Sequence, residues 1–174
     1  SALLERGLGH LSAAERIGLP RWLQTAQESG RLSLDEYIAS IEFLLDRSDP
    51  LLISGVLKAL ETMDRWVSEP QERKAFARWI RRILSPLYKA VGQQGDPMNG
   101  ERSLRGALGH LGQDPTLILE STELANRFLK NPDSTLHRSP MEFLPMAARN
   151  GDESFWLALK KSLDGKLSPL NRVA

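Results

Sequence analysis

The chain has 174 residues, with 23 Lys and Arg against 22 Asp and Glu, so its formal net charge is +1. The length allows about one domain, and the even charge excludes a polycationic nucleic-acid arm and an acidic tail. The lack of cysteine excludes disulfides, a thiolate nucleophile and Cys-ligated zinc. No apolar run approaches the ~18 residues of a membrane span. We therefore expect no membrane partner. The lack of cysteine fits a reducing compartment, so we expect a cytoplasmic location.

The first predicted helix begins at a capping box. The hydroxyl of Ser12 is placed to accept from an early helix N–H, while the carboxylate of Glu15 reaches back to the N–H of the cap. The helix then runs to about Ser29, where Gly30 is a typical stop. Pro20 lies inside this helix and lacks an N–H, so it predicts a kink or a break there.

Three further helix starts follow the same chemistry. Ser33 and Glu36 form a second capping box, and Asp49 is an N-cap followed by Pro50 at the first helical position. The segment 68–71 opens a longer helix whose apolar residues recur at helical spacing as far as residue 91. These starts predict helices that are separated by short turns.

The clearest predicted loop is 92–100, which holds three glycines and one proline. Beyond it the pattern predicts a short helix over 101–111 and further helices with capping residues at their starts. These capping residues are Asp114, Ser139, Asp152 and Ser168. Asn150 and Gly151, just before Asp152, form a favourable C-cap pair for the preceding helix.

The fold class follows from this run of helices. No segment alternates with a period of two, so the sequence predicts an all-α fold. About eight helices joined by short turns pack as antiparallel hairpins, and several hairpins in a row form an α-solenoid; a single compact helical bundle is the alternative. We expect residues 1–10 to be a lead-in or an expression remnant, and residues 11–174 to form one helical-repeat domain.

The sequence predicts neither catalytic nor metal-ligating residues. Its three histidines, His10, His110 and His137, lie far apart, and none belongs to the H-E-x-x-H pattern that places two histidines on one zinc. No Walker A loop, G-x-S-x-G elbow or dinucleotide fingerprint occurs. Carboxylate pairs such as Asp35 with Glu36 lie in the first turn of a helix, where they complement the helix dipole. We therefore expect this chain to hold no cofactor.

The predicted helix 70–91 has a stripe of basic residues opposite its apolar residues. At about 100° per residue, the stripe, called the basic face below, consists of Lys74, Arg78, Arg82 and Lys89, with Arg81 at its edge. Glu72 is the one nearby acid, and Pro86 is expected to bend the helix. Guanidinium groups in a line bind carboxylates, phosphates or acidic surfaces. The candidate substrate-binding residues are Arg78, Arg81 and Arg82; the alternative is a solvated face with counter-charges from a neighbouring helix.

Four short phrases of the sequence carry a family resemblance. They are Leu11–Leu19, Gly30–Tyr37, Arg82–Gly92 and Ala147–Asp152, the last followed by Phe155 and Trp156. In this order they resemble the C-terminal helical domain of the aminopeptidase N family of zinc metallopeptidases, which includes the endoplasmic-reticulum and puromycin-sensitive aminopeptidases. The chain departs from the family at Pro20 and Arg21, where the family continues with apolar and acidic residues.

The resemblance implies a HEAT/armadillo-like right-handed superhelix of helix hairpins, truncated at its carboxy-terminal end. In the family this domain folds over the catalytic domain and walls the peptide chamber, and zinc and the catalytic residues belong to that other domain. The implied function is a non-catalytic lobe that modulates access and peptide selection. Its partners would be the catalytic domain of the same polypeptide and peptide substrates.

Two other functions remain open at the level of sequence. One is a free-standing helical-repeat scaffold for protein interactions. The other is a helical repeat that binds nucleic acid through its arginine stripe, although the even net charge argues against a phosphate-binding domain. We therefore expect no nucleic-acid partner.

Overall fold

A computed structural model of the chain describes residues 6–46, 49–94, 100–131 and 140–166. These residues form helices and turns without a strand, so the predicted all-α class is confirmed. The chain divides into two compact units, Ser1–Gly112 and Gln113–Ala174. Two such units are compatible with one helical-repeat domain over 11–174, which stays a prediction. Residues 6–8 are helical, and the helices that follow are α1 Ala13–Glu28, α2 Leu34–Asp46, α3 Pro50–Asp64, α4 Pro70–Gln94, α5 Gly100–His110, α6 Pro115–Lys130, α7 Pro140–Asn150 and α8 Glu153–Lys166.

The first unit is built from contacts between neighbouring helices and between every second helix. α1 packs against α2 and α3, α2 against α3 and α4, and α5 against α3 and α4. α1, α3 and α5 thus form one row and α2 and α4 another, which fits a helix-hairpin solenoid; the solenoid and its right-handed turn stay predictions. The core residues inaccessible to solvent include Tyr37, Ile41, Leu44, Leu52, Val56, Leu60, Ile80, Leu84 and Leu104.

The contact between α1 and α3 explains why Pro20 does not break its helix. α1 runs through Pro20 without interruption, so the predicted break is wrong, while the kink stays a prediction. Pro20 is buried, and a Cβ added at Gly55 would lie 2.8 Å from its Cγ and 3.3 Å from the carbonyl oxygen of Ile17. The buried ring stabilises the contact through its apolar surface, which offsets one missing N–H. α4 likewise continues through Pro86.

The predicted loop 92–100 is shorter in the structure. α4 continues to Gln94 and α5 begins at Gly100, so the loop prediction is wrong for 92–94 and for 100. Glutamine is a good helix former, and one helical glycine costs only about 1 kcal/mol, which the packing of the long helix α4 offsets. The rest of that loop, 95–99, lies outside the described residues, as do His137, Ser139 and the predicted helix start at Ser168.

The second unit has a small aromatic core. α6 packs against α7 and contacts α8. The rings of Phe128 and Phe143 meet edge to face with their centroids 6.1 Å apart, an arrangement that aromatic pairs prefer. The core cluster consists of Ala125, Phe128, Phe143 and Ala147, with Leu124, Leu144 and Phe155 packed against it.

The two capping boxes have the predicted geometry. The Ser12 N–H donates to Glu15 Oε2 at 2.8 Å, and the Ser33 N–H donates to Glu36 Oε2 at 2.9 Å. Hydrogen bonds from the Ser12 hydroxyl and N–H lower the pKa of Glu15, and those from the Ser33 N–H and hydroxyl lower the pKa of Glu36. Asp49 and Asp114 also cap their helices as predicted, by accepting from N–H groups of the first turn.

Tyr37 is a buried polar residue of the first unit. It is inaccessible to solvent, its ring centroid lies 6.3 Å from that of Trp66, and its hydroxyl has no hydrogen-bond partner among the described residues. Burial, and then the charge of Glu28, raise the pKa of Tyr37 to about 12. The hydroxyl is therefore neutral at physiological pH.

Candidate functional site

The basic face of α4 lies on the exposed side of the helix, opposite its buried apolar residues. Its buried residues include Phe76, Ile80, Leu84 and Leu87, which hold the helix against the rest of the first unit. On the other side, Lys74, Arg78, Arg82 and Lys89 are exposed. The helix period therefore separates apolar from basic residues as the sequence predicts.

Arg82 has a counter-charge from a neighbouring helix. Its Nη2 donates to Oε1 of Glu42 on α2 at 2.7 Å, and the indole Nε1 of Trp79 donates to the same oxygen at 2.6 Å. The side chains of Arg82 and Glu42 are 69% and 38% exposed. Exposed ion pairs of this kind stabilise a protein by only about 0.2–1 kcal/mol, so the pair leaves Arg82 open to exchange.

Arg81 serves the end of α5. It is half-buried, and its Nη1 donates to the carbonyl oxygen of Gly112. The N–H groups of Leu111 and Gly112 both donate to the Ala107 carbonyl, at 2.9 and 3.1 Å. A cation at the end of a helix satisfies a carbonyl and complements the helix dipole. Arg81 thus has a structural contact away from Glu42, and its predicted role in substrate binding stays a prediction.

Arg78 is the available arginine of the basic face. Within the described ranges its guanidinium makes no hydrogen bond or ion pair, and the same holds for Lys74 and Lys89. Arg78 lies one helical turn before Arg82, so both point to the same side of α4. The three predicted arginines therefore differ: Arg78 is available, Arg82 is held by an exposed acid, and Arg81 supports the end of α5.

A groove of about 450 Å³ runs beside the Glu42–Arg82 pair, between α2 and α4. α2 contributes one further acid, Asp46, which is exposed and makes no hydrogen bond or ion pair within the described part of the chain. The apolar lining consists of Leu45, Ile83, Pro86, Leu87 and Ala90. The sequence did not identify Glu42, Trp79 or Asp46 as site residues, because the pairing of α2 with α4 is a tertiary contact with no local pattern.

The two histidines that the structure describes, His10 and His110, do not belong to a metal site. His10 is exposed, and His110 lines a second groove, of about 510 Å³, between α3 and α5. Among the described residues no group of three or more His, Cys, Asp or Glu is placed to hold a metal ion. The donor set that zinc needs is therefore not assembled in this part of the chain.

The phrase Leu11–Leu19 links two helix starts. Ser12 and Glu15 cap α1, and the next residue, Arg16, donates from Nη1 to Oδ2 of Asp49 at 2.9 Å. The other oxygen of Asp49 accepts from the Leu51 N–H at 2.9 Å and so caps α3. This phrase therefore fixes the start of α1 against the start of α3.

The phrase Ala147–Asp152 forms the turn between α7 and α8. The Asn150 side-chain amide donates to the Met146 carbonyl at 2.8 Å, and a Cβ at Gly151 would lie 2.6 Å from Cδ1 of Phe155. Asp152 accepts from the Phe155 N–H at 2.8 Å. Hydrogen bonds from the Ser154 hydroxyl and then the Phe155 N–H lower the pKa of Asp152. These two phrases carry helix caps and close packing.

Comparison with known proteins supplies the family. A family model described as the ERAP1-like C-terminal domain matches residues 1–172, a range that includes all four phrases. Searches among curated proteins and among solved structures found no match. Within the described residues, none of the helices has the length and apolar character to cross a membrane.

Proposed function

Since the chain belongs to the family of ERAP1-like C-terminal domains, we propose that it is the non-catalytic lobe of a zinc aminopeptidase, which walls the peptide chamber and modulates access and peptide selection. The match over residues 1–172 carries this proposal, and the family confirms the resemblance of the four phrases. A C-terminal domain of such an enzyme associates with the catalytic domain of its own polypeptide. As the family resemblance implies, zinc and the catalytic groups would belong to that catalytic domain.

The basic face is the proposed contact for peptides. Arg78 is exposed and available, and Arg82 lies one turn further along the same side of α4. A peptide whose amino end lies at the distant zinc site would present its carboxy-terminal carboxylate or an acidic side chain to these guanidinium groups. A charge-assisted hydrogen bond of this kind stabilises the complex by about 1.5–3 kcal/mol, which corresponds to roughly ten- to a hundredfold in affinity.

An assay of the purified chain tests whether the lobe is non-catalytic. We expect no release of an amino-terminal residue from a chromogenic amide and no stoichiometric zinc in metal analysis. The reason is that the sequence lacks the H-E-x-x-H pattern, which would supply both the zinc-ligand spacing and the general base. Hydrolysis by the pure chain that a chelator inhibits would overturn the proposal. The matched control is the full-length parent, for which the proposal expects both activity and bound zinc.

A further inference from the structure

The contact of Glu42 with α4 shows how this helix binds a carboxylate. We propose that Glu42 is an internal competitor, which occupies the carboxylate site of α4 and is displaced when the carboxy terminus of a peptide binds. The inference rests on the proposed function, because it names the group of the peptide that the basic face takes and the residue that controls its access.

The site consists of two donors from successive turns of α4. The indole N–H of Trp79 and the Nη2 of Arg82 converge on one oxygen of Glu42, at 2.6 and 2.7 Å. An indole and a guanidinium donate hydrogen bonds and cannot accept them, so this pair selects an acceptor, and the charge of Arg82 favours an anion. Glu42 is thus a carboxylate supplied by the chain itself.

The indole donor of Trp79 is held in place independently of Glu42. The Trp79 ring packs against Phe76 with its centroid 5.7 Å away, on a helix whose apolar residues are buried. Glu42 comes from α2, and its side chain is 38% exposed. Within the described ranges Trp79 and Arg82 are its only hydrogen-bond partners. Water therefore reaches the carboxylate that must move, while packing holds the indole that receives the replacement.

Arg78 and the groove favour the carboxylate of a peptide over that of Glu42. Exchange of one carboxylate for another at Trp79 and Arg82 is close to balanced in hydrogen bonds, because the same bonds are lost and made. The incoming peptide also loses translational and rotational freedom, so it needs further contacts to displace Glu42. A peptide carboxylate gains Arg78 in addition, since this guanidinium is exposed and unpaired within the described residues. The apolar residues of the adjoining groove, such as Ile83 and Leu87, offer a surface to the last side chain of the peptide.

Nuclear magnetic resonance of the ¹⁵N-labelled chain tests the inference. The indole N–H signal of Trp79 is assigned by its loss in Trp79→Phe. It is then followed during titration with hexaalanine and with amidated hexaalanine. A further titration uses sodium acetate, with sodium chloride at equal ionic strength as its control. In the wild type we expect the free-acid peptide and acetate to shift this signal, and the amidated peptide and chloride to leave it unchanged.

Two variants with the same change of charge separate displacement from long-range electrostatics. Glu42→Gln removes the competing charge at the site, and Asp46→Asn removes a charge one turn away that makes no hydrogen bond or ion pair within the described part. We expect Glu42→Gln to bind the free-acid peptide and acetate about three- to fivefold more tightly, and Asp46→Asn to change binding less than about twofold. The double variant Glu42→Gln with Arg78→Ala should bind the free-acid peptide more weakly than Glu42→Gln alone.

Each contrary outcome has a distinct meaning. Three results would overturn the competitor role. Glu42→Gln and Asp46→Asn could have equal effects on binding, or Glu42→Gln could bind the ligands more weakly than the wild type. The third is an identical chemical shift of the Trp79 indole N–H in ligand-free wild type and ligand-free Glu42→Gln. If Glu42→Gln binds acetate more tightly while free-acid and amidated peptides bind equally, the competitor role stands and the proposed peptide contact fails. If neither acetate nor peptide moves the signal in any variant, both proposals are wrong.

Discussion

The turn at 150–152 and the basic face of α4 differ in where their partners lie along the chain. Asn150, Gly151 and Asp152 bind or contact residues three or four positions away. Arg82 instead pairs with Glu42, 40 residues earlier, and Arg81 with Gly112, 31 residues later. Local sequence therefore determines the turn, whereas tertiary packing decides which arginine of the basic face is available to a ligand.

The largest expected effect concerns the turn at 150–152, whose contacts are local in the sequence. Gly151→Ala places a methyl group 2.6–3.1 Å from Phe155, whose ring packs on the core of the second unit, so we expect a loss of about 1–3 kcal/mol in the free energy of unfolding. Gly106→Ala is the control, because a Cβ there meets no atom within 4 Å and alanine favours the helix by about 0.5–1 kcal/mol. Denaturant unfolding measures both. A neutral Gly151→Ala variant would show that the turn does not require glycine.

The second prediction concerns the tertiary contacts of α4 and compares two of its arginines, Arg81 and Arg78. Arg81→Ala leaves the Gly112 carbonyl without its cation, and we expect it to lower the free energy of unfolding by about 1–2 kcal/mol. Arg78→Ala removes an exposed side chain without a partner in the described part, so we expect a change within about 0.5 kcal/mol. Equal losses in the two variants would contradict the different roles assigned to these arginines.

The same division explains how much of the molecule the sequence predicts. The helix starts at Ser12, Ser33, Asp49, Asp114 and Asp152 are predictable because a cap binds N–H groups two or three residues away. The predicted loop 92–100 is wrong at both ends, since one glycine inside a helix costs only about 1 kcal/mol and the rest of a long helix offsets this cost.

The candidate site is predictable only in part. The helix period places Arg78 and Arg82 on one face, but no local rule couples Glu42 or the end of α5 to this helix. The Glu42–Arg82 pair needs the contact of α2 with α4, and the position of Arg81 needs the contact of α4 with α5. Neither contact leaves a motif in the sequence.

The third prediction concerns the pH dependence of the caps. The pKa values of Glu15 and Glu36 are lowered from 4.5, and that of Asp152 from 3.8. A lowered pKa in the folded state stabilises the fold above the ordinary carboxyl pKa, and this stability is lost as the pH falls through the folded value. We expect the Tm difference between wild type and Glu36→Gln to shrink below pH 4.5. A difference that is constant from neutral to acidic pH would contradict the cap interaction.

The smallest expected effect concerns Tyr37, which lies in a family phrase but packs through tertiary contacts. Its buried hydroxyl has no partner among the described residues, so Tyr37→Phe removes an unsatisfied polar group and keeps the ring. We expect the free energy of unfolding to stay within about 0.5 kcal/mol of the wild type or to rise. A loss above about 1 kcal/mol would show that the hydroxyl has a hydrogen-bond partner.

Steady-state kinetics of the full-length parent test the central claim most directly. Arg78→Ala with Arg82→Ala should raise KM for peptides with a free carboxy terminus by roughly ten- to a hundredfold. KM for single-residue amides should stay unchanged, since in the proposed arrangement these substrates would be too short to reach from the zinc site of the catalytic domain to the basic face. Arg21→Ala, which removes an exposed arginine from α1, should change neither. Equal effects of the double substitution on both substrate types, or no effect on either, would contradict the account. The alternative, that the basic face is only a solvated helix face, would then hold.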